Sequence, residues 1–383
     1  MTSTPNLLGI KNNGGMTPFY IAATIGLLHQ IPTHLLTSEL ITIKNNEGDT
    51  LIHVCAFHGH LDQIPAHLLT SELLAITNNC GKTPFHVAAI HGHLDQIPAH
   101  LLTSELLTIN FCWGATPLHH AAAYGHLHQI PTHLLTSELL TIKSTDGSTP
   151  LHYAAKYGYF EQIPVHLLTS NLLAIKDHNG MTPIQHATNC GNLDKIPAHL
   201  LTVELLSTRH PFGATPIRSA ARSGHLNQIP AHLLTSELLT IKHDFGETPL
   251  HAAALNGHLN QIPVRQLSTE LLTIKDNERS TPLHVAAKYG HFDQIPARLL
   301  TSESLALQNK ENRTPLHYVA EKGGLLKKIP HALLTMENLT AVDKDGRSAA
   351  QIVLQKSPAT IKNNIHRLPP GIKAAFITVL LSC

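Results

Sequence analysis

The chain has 383 residues, a formal net charge of +1 at neutral pH and only 14% charged residues. This weak positive charge disfavours a surface that follows a nucleic-acid backbone, which requires clustered lysine and arginine. The five cysteines are odd in number and include no CxxC pair, so they predict free thiols in a reducing compartment rather than a disulfide framework.

Neither a secretory leader nor a membrane span is predicted. Residues 1–11 lack a basic start followed by an apolar core, so we expect no secretory signal. No stretch reaches the roughly twenty apolar residues that cross a bilayer, and the apolar tail from Ala374 to Cys383 predicts a buried terminal helix rather than an anchor. The predicted location is the cytoplasm, without a membrane partner, and export of the chain as an effector stays open.

One phrase, Thr-Pro-Leu-His-x-Ala-Ala-x-x-Gly-His-Leu, recurs with little drift at steps of 33 residues. Its copies begin at Thr17, Thr50, Thr83, Thr116, Thr149, Thr182, Thr215, Thr248, Thr281 and Thr314. A fixed period of this length predicts a stacked solenoid, because one repeat alone cannot bury its apolar face. Such a stack offers a long surface instead of an enclosed pocket, which favours binding over catalysis.

The repeat that starts at Thr83 illustrates the predicted first helix. Thr83 is the expected N-cap, and Pro84 follows at the first helical position, where a missing N–H breaks no hydrogen bond. His86 occupies the third helical position, from which its side chain can reach back to the cap. Gly92 is expected to end this helix.

A second helix is expected after Gly92. If Asp95 caps it, Pro98 lies in its first turn, where amides lack partners within the helix, and the helix continues through residues 99–102. Residues 103–107 predict a further cap and a short helical turn, and residues 111–114 predict the turn, called the tip, that leads to the next repeat. The predicted core of this repeat is Leu94, Ile97, Leu101, Leu102, Leu106, Leu107 and Ile109.

These repeats resemble the ankyrin repeat family. The segment from Thr281 to Ala287, followed by Gly290 and His291, matches the family's pattern well, and the resemblance covers ten repeats from about Lys11 to Lys344. It implies an all-α fold with short β-turn or hairpin tips, namely an ankyrin-type α-solenoid of stacked helix-turn-helix repeats. Members of the family are mostly protein-binding modules that use the tips and the first helices.

The resemblance implies three regions. Residues 1–16 form an N-terminal partial repeat, residues 17–346 form ten repeats, and residues 347–383 form a degenerate repeat with C-terminal capping helices. Two features depart from the family's pattern. A proline recurs in the second helical segment, and the sequence from Leu36 to Lys44 stands where family members usually read Gly-Ala-Asp-Val-Asn.

Comparison of the repeats with one another separates a constant back from a variable front. Two polar columns, predicted to be exposed, barely change: Gln63, Gln96, Gln129, Gln162, Gln228, Gln261 and Gln294, and Glu39, Glu72, Glu105, Glu138, Glu204, Glu237, Glu270 and Glu303. The exposed positions of the first helices vary: Phe57-His58, Ile90-His91, Ala123-Tyr124, Lys156-Tyr157, Asn189-Cys190, Arg222-Ser223, Leu255-Asn256 and Lys288-Tyr289. We interpret this contrast as diversification of the front for binding, with neutral drift at exposed sites as the alternative.

We therefore predict a non-enzymatic, monomeric scaffold that needs no cofactor and recognises another protein through its concave front, between about Phe111 and Phe245. Aromatic side chains dominate the energetics of protein interfaces and have no evident folding role at the tips. The candidate partner-binding residues are Phe111, Trp113, His120, Tyr124, Tyr153, Tyr157, Phe212, Arg222 and Phe245. The alternative is that tips fold onto neighbouring tips and hide their rings.

Catalysis and metal binding find little support in the sequence. No nucleophile elbow, P-loop or dinucleotide-binding motif occurs, and pairs such as Cys190 with His186 are expected by chance among 31 histidines. Most histidines are periodic, and equivalent residues of packed helices lie too far apart to share one zinc ion. Two further hypotheses stay open: a structural or engineered, consensus-like array without a natural partner, and metal or pH sensing by the histidine columns.

Overall fold

The computed structural model describes residues 8–211, 213–323, 329–356 and 369–382. The chain divides into two compact units, Met1–Leu200 and Leu201–Cys383. Each unit is a stack of repeats, and each repeat opens with a helix of about two turns that begins directly after the motif threonine. The only β-bridge within the described residues joins Val342 and Ser348, so the all-α prediction is confirmed.

The motif helices, called front helices, form one layer of each unit. In the first unit they are α1 (Pro18–Thr24), α2 (Leu51–His58), α3 (Pro84–His91), α4 (Pro117–Tyr124), α5 (Pro150–Tyr157) and α6 (Pro183–Cys190). In the second unit they are α7 (Pro216–Ser223), α8 (Pro249–Asn256), α9 (Pro282–Tyr289) and α10 (Pro315–Glu321), followed by α11 (Ala349–Lys356) and α12 (Pro370–Ser382). Within each unit, consecutive front helices pack side by side.

The ends of the front helix in the repeat at Thr83 form as the sequence predicts. The Thr83 N–H donates to Nδ1 of His86, and the His86 N–H donates to Oγ1 of Thr83, both at 3.3 Å. This reciprocal pair satisfies two amides that the first turn leaves without partners. Gly92 ends the helix with φ of 79°, and a Cβ there would lie 2.7 Å from Nε2 of His126 in the next repeat. Glycine is required by both the left-handed backbone and the close approach.

The second helical segment differs from the prediction. The 3₁₀ turn Leu94–Gln96 begins after His93 rather than Asp95, and residues 99–102 form no α-helix. Proline explains the difference, because it cannot donate an N–H and it disfavours helical φ and ψ in the preceding residue. Ile97 accordingly has extended backbone angles. The predicted short turn is confirmed, since Ser104–Leu107 is helical and Oγ1 of Thr103 accepts the Leu106 N–H at 3.4 Å.

Short elements therefore fill the space that a second helix would occupy. The short α-helices are Ser38–Ile41, Ser71–Leu74, Ser104–Leu107 and Ser170–Leu173 in the first unit, and Val203–Ser207, Ser236–Leu239, Thr269–Leu272, Ser302–Ala306 and Met336–Thr340 in the second. The 3₁₀ turns of the first unit are Leu28–Gln30, Thr33–Leu35, Leu61–Gln63, Ala66–Leu68, Leu94–Gln96, Cys112–Gly114, Leu127–Gln129, Leu139–Thr141, Phe160–Gln162, Val165–Leu167, Leu193–Lys195 and Ala198–Leu200. Those of the second unit are Leu226–Gln228, Ala231–Leu233, Leu259–Gln261, Val264–Gln266, Phe292–Gln294, Ala297–Leu299 and His331–Leu333.

The apolar core lies between the front helices and these short elements. Most of the core predicted for the repeat at Thr83 is buried, namely Leu94, Ile97, Leu102, Leu106 and Leu107. Leu101 and Ile109 are only half-buried. Because Pro98 keeps the segment out of an α-helix, the spacing of its leucines does not follow a helical stripe, and Leu101 turns partly toward solvent.

The last helix, α12, is buried on one face only. Ile372, Ala375 and Phe376 are buried where α12 packs against α11 and the short helix Met336–Thr340, which fits the predicted terminal helix. The opposite face exposes apolar side chains, which the prediction of a buried helix did not include. In the part of the chain that the structure describes, no helix combines the length and apolar character needed to cross a membrane.

Candidate functional site

The constant glutamine column joins neighbouring repeats, contrary to the prediction that it is a free exposed back. Oε1 of Gln96 accepts the Leu61 N–H at 2.9 Å, and Nε2 of Gln96 donates to the Gly59 carbonyl at 2.8 Å. In the second unit, Gln294 makes the same two bonds to Leu259 and Gly257. Hydrogen bonding across the repeat joint therefore explains why this residue does not vary.

The constant glutamate column also has a local structural role. Glu105 is exposed, as predicted, and it lies in the first turn of the short helix that Thr103 caps. Hydrogen bonds from its own backbone N–H and from the Thr103 side chain lower the pKa of Glu105, and the helix dipole favours a carboxylate here. Because both back columns are fixed by structure, the contrast with the front is no evidence for binding, and the front must be judged by its own geometry.

Three of the candidate residues form one aromatic cluster on the front of the first unit. The His120 ring lies 5.8 Å from the Phe111 ring and 6.5 Å from the Tyr124 ring, measured between centroids. Phe111 is half-buried, with its ring 5.6 Å from that of His86 and beneath Nζ of Lys82. The tip therefore folds partly onto its neighbour at Phe111, as the alternative prediction had it.

His120 is an electrically neutral member of this cluster. Burial, together with the nearby His86 and Lys82, lowers the pKa of His120 to about 3. Its Nε2 atom is buried and has no hydrogen-bond partner among the described residues. A buried ring nitrogen without a partner is unusual in folded proteins.

Trp113 differs from its neighbour Phe111 because its indole ring is free. The side chain is 81% exposed, and the residue has φ of 72°, a left-handed conformation that favours glycine. The backbone around it is held, since the Trp113 carbonyl accepts hydrogen bonds from N and Oγ1 of Thr145 at 2.8 and 2.7 Å. The ring thus projects from a fixed loop.

The two candidate tyrosines of α5 differ in exposure. Tyr153 is half-buried and meets the His119 ring edge to face at 5.6 Å between centroids, and burial raises its pKa. Tyr157 is exposed, with Nζ of Lys156 lying 5.4 Å from the centroid of its ring. Tyr153 therefore contributes to packing, whereas Tyr157 remains available to a partner.

A groove beside the first tips was not among the predicted site residues. It has a volume of about 550 Å³ and is lined by Phe57, His58, Ile90 and His91 among others. The Phe57 ring lies 4.2 Å from that of His91 and 4.8 Å from that of His58, and Phe57 is exposed. These residues occupy the variable front-helix positions, so the sequence signal that could have found them was the apolar phenylalanine at an exposed position.

The second unit places its candidate residues separately. Arg222 is exposed on α7, and Phe245 is 69% exposed on its tip, with its ring 5.4 Å from that of His243. Phe212 lies outside the described residues. A smaller groove of about 280 Å³ lies farther along, where Tyr289 and Val285 of α9 meet the acidic tip residues Glu278 and Glu311.

Comparison with known families identifies the repeat. Residues 65–138, 198–297 and 264–343 match the family model described as ankyrin repeats (3 copies), and residues 146–175 match that described as ankyrin repeat. The chain belongs to the ankyrin repeat family. Ankyrin repeats generally mediate interactions between proteins.

One solved structure similar to this ankyrin repeat protein is the ankyrin repeat domain of Bcl-3, described as a unique member of the IkappaB protein family. The two share 21% sequence identity, with 54% of this chain and 94% of that chain covered and a TM-score of 0.41. No curated protein matches the chain.

In this ankyrin repeat protein the cap histidines are used by the fold. Nδ1 of His119 accepts the Thr116 N–H at 3.1 Å, and Nε2 donates to the Ser148 carbonyl of the next repeat at 3.1 Å. Both ring nitrogens are thus engaged, which leaves no lone pair for a metal ion. His186, considered above beside Cys190, directs Nε2 to Oδ2 of Asp177 at 3.0 Å. Among the described residues, no three histidine, cysteine or acidic side chains converge as a metal site.

Proposed function

We propose that this ankyrin repeat protein is a non-enzymatic scaffold that binds another protein through its front face, defined as the tips and the exposed positions of the front helices. The observation that carries the proposal is the exposed indole of Trp113 on a residue whose φ of 72° favours glycine. Folding alone gives no reason for tryptophan at such a position, because the ring contributes no burial and the backbone is strained.

The chemistry of the front supports a protein ligand. Tryptophan, tyrosine and arginine are the residues that most often carry binding energy at protein interfaces, and Trp113, Tyr124, Tyr157 and Arg222 are all exposed. A single aromatic anchor of this kind contributes roughly 2 kcal/mol or more when a partner covers it. Phe111 and Tyr153 are half-buried, so we expect them to contribute to packing rather than to act as anchors.

Each unit also offers a recess beside its exposed aromatic side chains. In the first unit the groove at Phe57 and His91 combines apolar walls with polar and charged tip residues such as Glu47, and its apolar part suits an apolar side chain of a partner. In the second unit the groove at Tyr289 combines an aromatic wall with the carboxylates of Glu278 and Glu311. The cytoplasm remains the predicted location, and a monomer remains the predicted state.

The test begins with proximity labelling in the source organism to identify a partner, followed by affinity measurement with the purified partner. The Trp113→Gly variant removes the ring and suits the left-handed backbone, so its folded state should be at least as stable as the original. We expect affinity to fall roughly tenfold or more for Trp113→Gly and for Phe245→Ala. The matched control is Glu105→Ala, which changes the exposed back and should leave affinity unchanged.

Two results would count against the proposal. Equal affinity of the original chain and both front variants would place the binding site elsewhere. Labelling that recovers nothing above background would favour the alternative of a structural or consensus-like array without a natural partner, which the near-identity of the repeats also suits.

A further inference from the structure

The outer face of α12 carries an exposed apolar stripe that no other described element covers. Ile377, Leu380 and Leu381 are 43%, 54% and 84% exposed. Their spacing of three and four residues places them on one side of the helix. Lys373 precedes Ile377 by one helical turn and lies along the same side. The stripe is distinct from the front face, so the inference does not depend on the proposed function.

The sequence that leads into this stripe has a one-sided charge. Residues 348–383 contain Lys356, Lys362, Arg367 and Lys373, together with His366, and contain no aspartate or glutamate. Residues 1–347 therefore contain all 26 acidic residues and 23 of the 27 basic residues. An apolar helix face within a basic segment is complementary to a membrane surface, in which apolar acyl chains lie beneath negatively charged headgroups.

A second copy of the chain is a poor occupant of this stripe. A stable interface buries about 800 Å² on each partner, far more than three aliphatic side chains supply. A parallel pairing of two α12 helices would also bring like charges together at Lys373. An acidic protein is disfavoured for another reason, because the stripe has none of the aromatic or arginine anchors that usually carry protein interfaces.

We propose that the stripe Ile377, Leu380 and Leu381 docks on an anionic lipid surface, with α12 lying in the plane of the membrane. A helix of 13 residues is too short to span a bilayer but long enough to lie at its interface. The aliphatic side chains enter the boundary of the acyl chains, and Lys373 on the same side of α12 lies at the level of the phosphate and carboxylate headgroups. This surface contact departs from the prediction of no membrane partner. That prediction was based only on the lack of a segment long enough to span a bilayer.

The experiment is sedimentation of the purified full chain with lipid vesicles. We expect binding to phosphatidylcholine vesicles that contain about one quarter phosphatidylserine, and weak or no binding to pure phosphatidylcholine. The Leu380→Asn/Leu381→Asn variant should bind roughly tenfold more weakly, because it removes most of the apolar contact. Thr378→Asn is the matched control, since it changes an exposed polar residue of the same helix. Lys373→Gln and higher salt should each weaken binding as well.

Several outcomes would overturn the proposal. These are no binding to the anionic vesicles, equal binding to neutral and anionic vesicles, or unchanged binding of the double variant. Analytical ultracentrifugation tests a further outcome. If the original chain is a dimer, and the double variant is a monomer that still binds vesicles, the stripe is an interface between copies. Circular dichroism confirms folding, and Leu381→Asn alone serves if the double variant unfolds, because that side chain is 84% exposed.

Discussion

Oε1 of Gln96 accepts a hydrogen bond of 2.9 Å from the backbone N–H of Leu61, 35 residues earlier in the chain. The same side chain donates through Nε2 to the Gly59 carbonyl, so one glutamine fastens two neighbouring repeats. The glutamine thus satisfies the N–H of the residue that opens the 3₁₀ turn Leu61–Gln63, which has no partner within that turn.

Replacement of this glutamine should weaken the stack. We expect Gln96→Ala to lower the free energy of unfolding by roughly 1–3 kcal/mol, because it leaves the Leu61 N–H and the Gly59 carbonyl without their partner. Urea unfolding followed by circular dichroism measures the effect. Asp95→Ala, at the exposed neighbouring position, is the control and should change stability by less than about 0.5 kcal/mol. Equal effects of the two changes would contradict the structural role of Gln96.

Arg279 occupies a tip position where most repeats have glycine, and it has φ of 57°. We expect Arg279→Gly to raise the free energy of unfolding by roughly 0.5–1 kcal/mol, because glycine adopts this left-handed conformation without strain. Asn312 occupies the same position in the next repeat with φ of 55°. Asparagine tolerates this region well, so Asn312→Gly should be nearly neutral. Thermal unfolding of both variants measures these changes. A loss of stability in Arg279→Gly would show that the arginine side chain stabilises the fold.

The cap histidines should make the protein sensitive to acid. Burial lowers the pKa of His119 to about 4, against about 6.5 in an unfolded chain. Because the folded pKa is the lower one, the unfolded chain binds more protons between these values, and stability that is complete above about pH 6.5 is lost as the pH falls toward 4. At pH 5 this histidine alone accounts for a loss of about 2 kcal/mol.

The sixth repeat provides a natural design for testing this dependence. There the Thr182 N–H donates to Oε1 of Gln185 at 2.8 Å, so glutamine forms the same cap without a titrating ring. We expect His119→Gln to reduce the difference in unfolding free energy between pH 7 and pH 5 by about 2 kcal/mol. The reciprocal change, Gln185→His, should increase that difference. An unaltered pH dependence in both variants would mean that other groups cause the acid sensitivity.

Substitution of an exposed front aromatic residue should lower the free energy of unfolding much less than substitution of a buried aromatic residue. Phe85 of α3 is fully buried, and we expect Phe85→Ala to cost roughly 3–5 kcal/mol through the cavity it leaves. Tyr124 of α4 is exposed, and Tyr124→Ala should cost less than about 1 kcal/mol. Urea unfolding of the two variants makes the comparison. A large cost at Tyr124 would mean that the front rings support the fold and would remove one argument for a binding role.

Much of the site could not be predicted, for reasons that particular residues illustrate. Phe111 and Trp113 are two positions apart on one tip, yet the first packs against His86 and the second projects into solvent. The sequence contains no signal for this difference, because it depends on where the preceding repeat's side chains lie. The groove at Phe57 was missed although Phe57 stands at an exposed position in the sequence, because its walls come from residues in different repeats.

The sequence by itself determined the repeat, its threonine–histidine cap and its glycine stop, because these features depend on short-range geometry that most copies repeat. It determined less about the second segment, where Pro98 indicated a break but not the 3₁₀ turns that replace a helix. Only the tertiary structure decided that Gln96 joins repeats and that one face of α12 stays uncovered. Both depend on which surfaces meet when the repeats stack, and contacts between residues more than thirty positions apart follow from that packing rather than from local sequence.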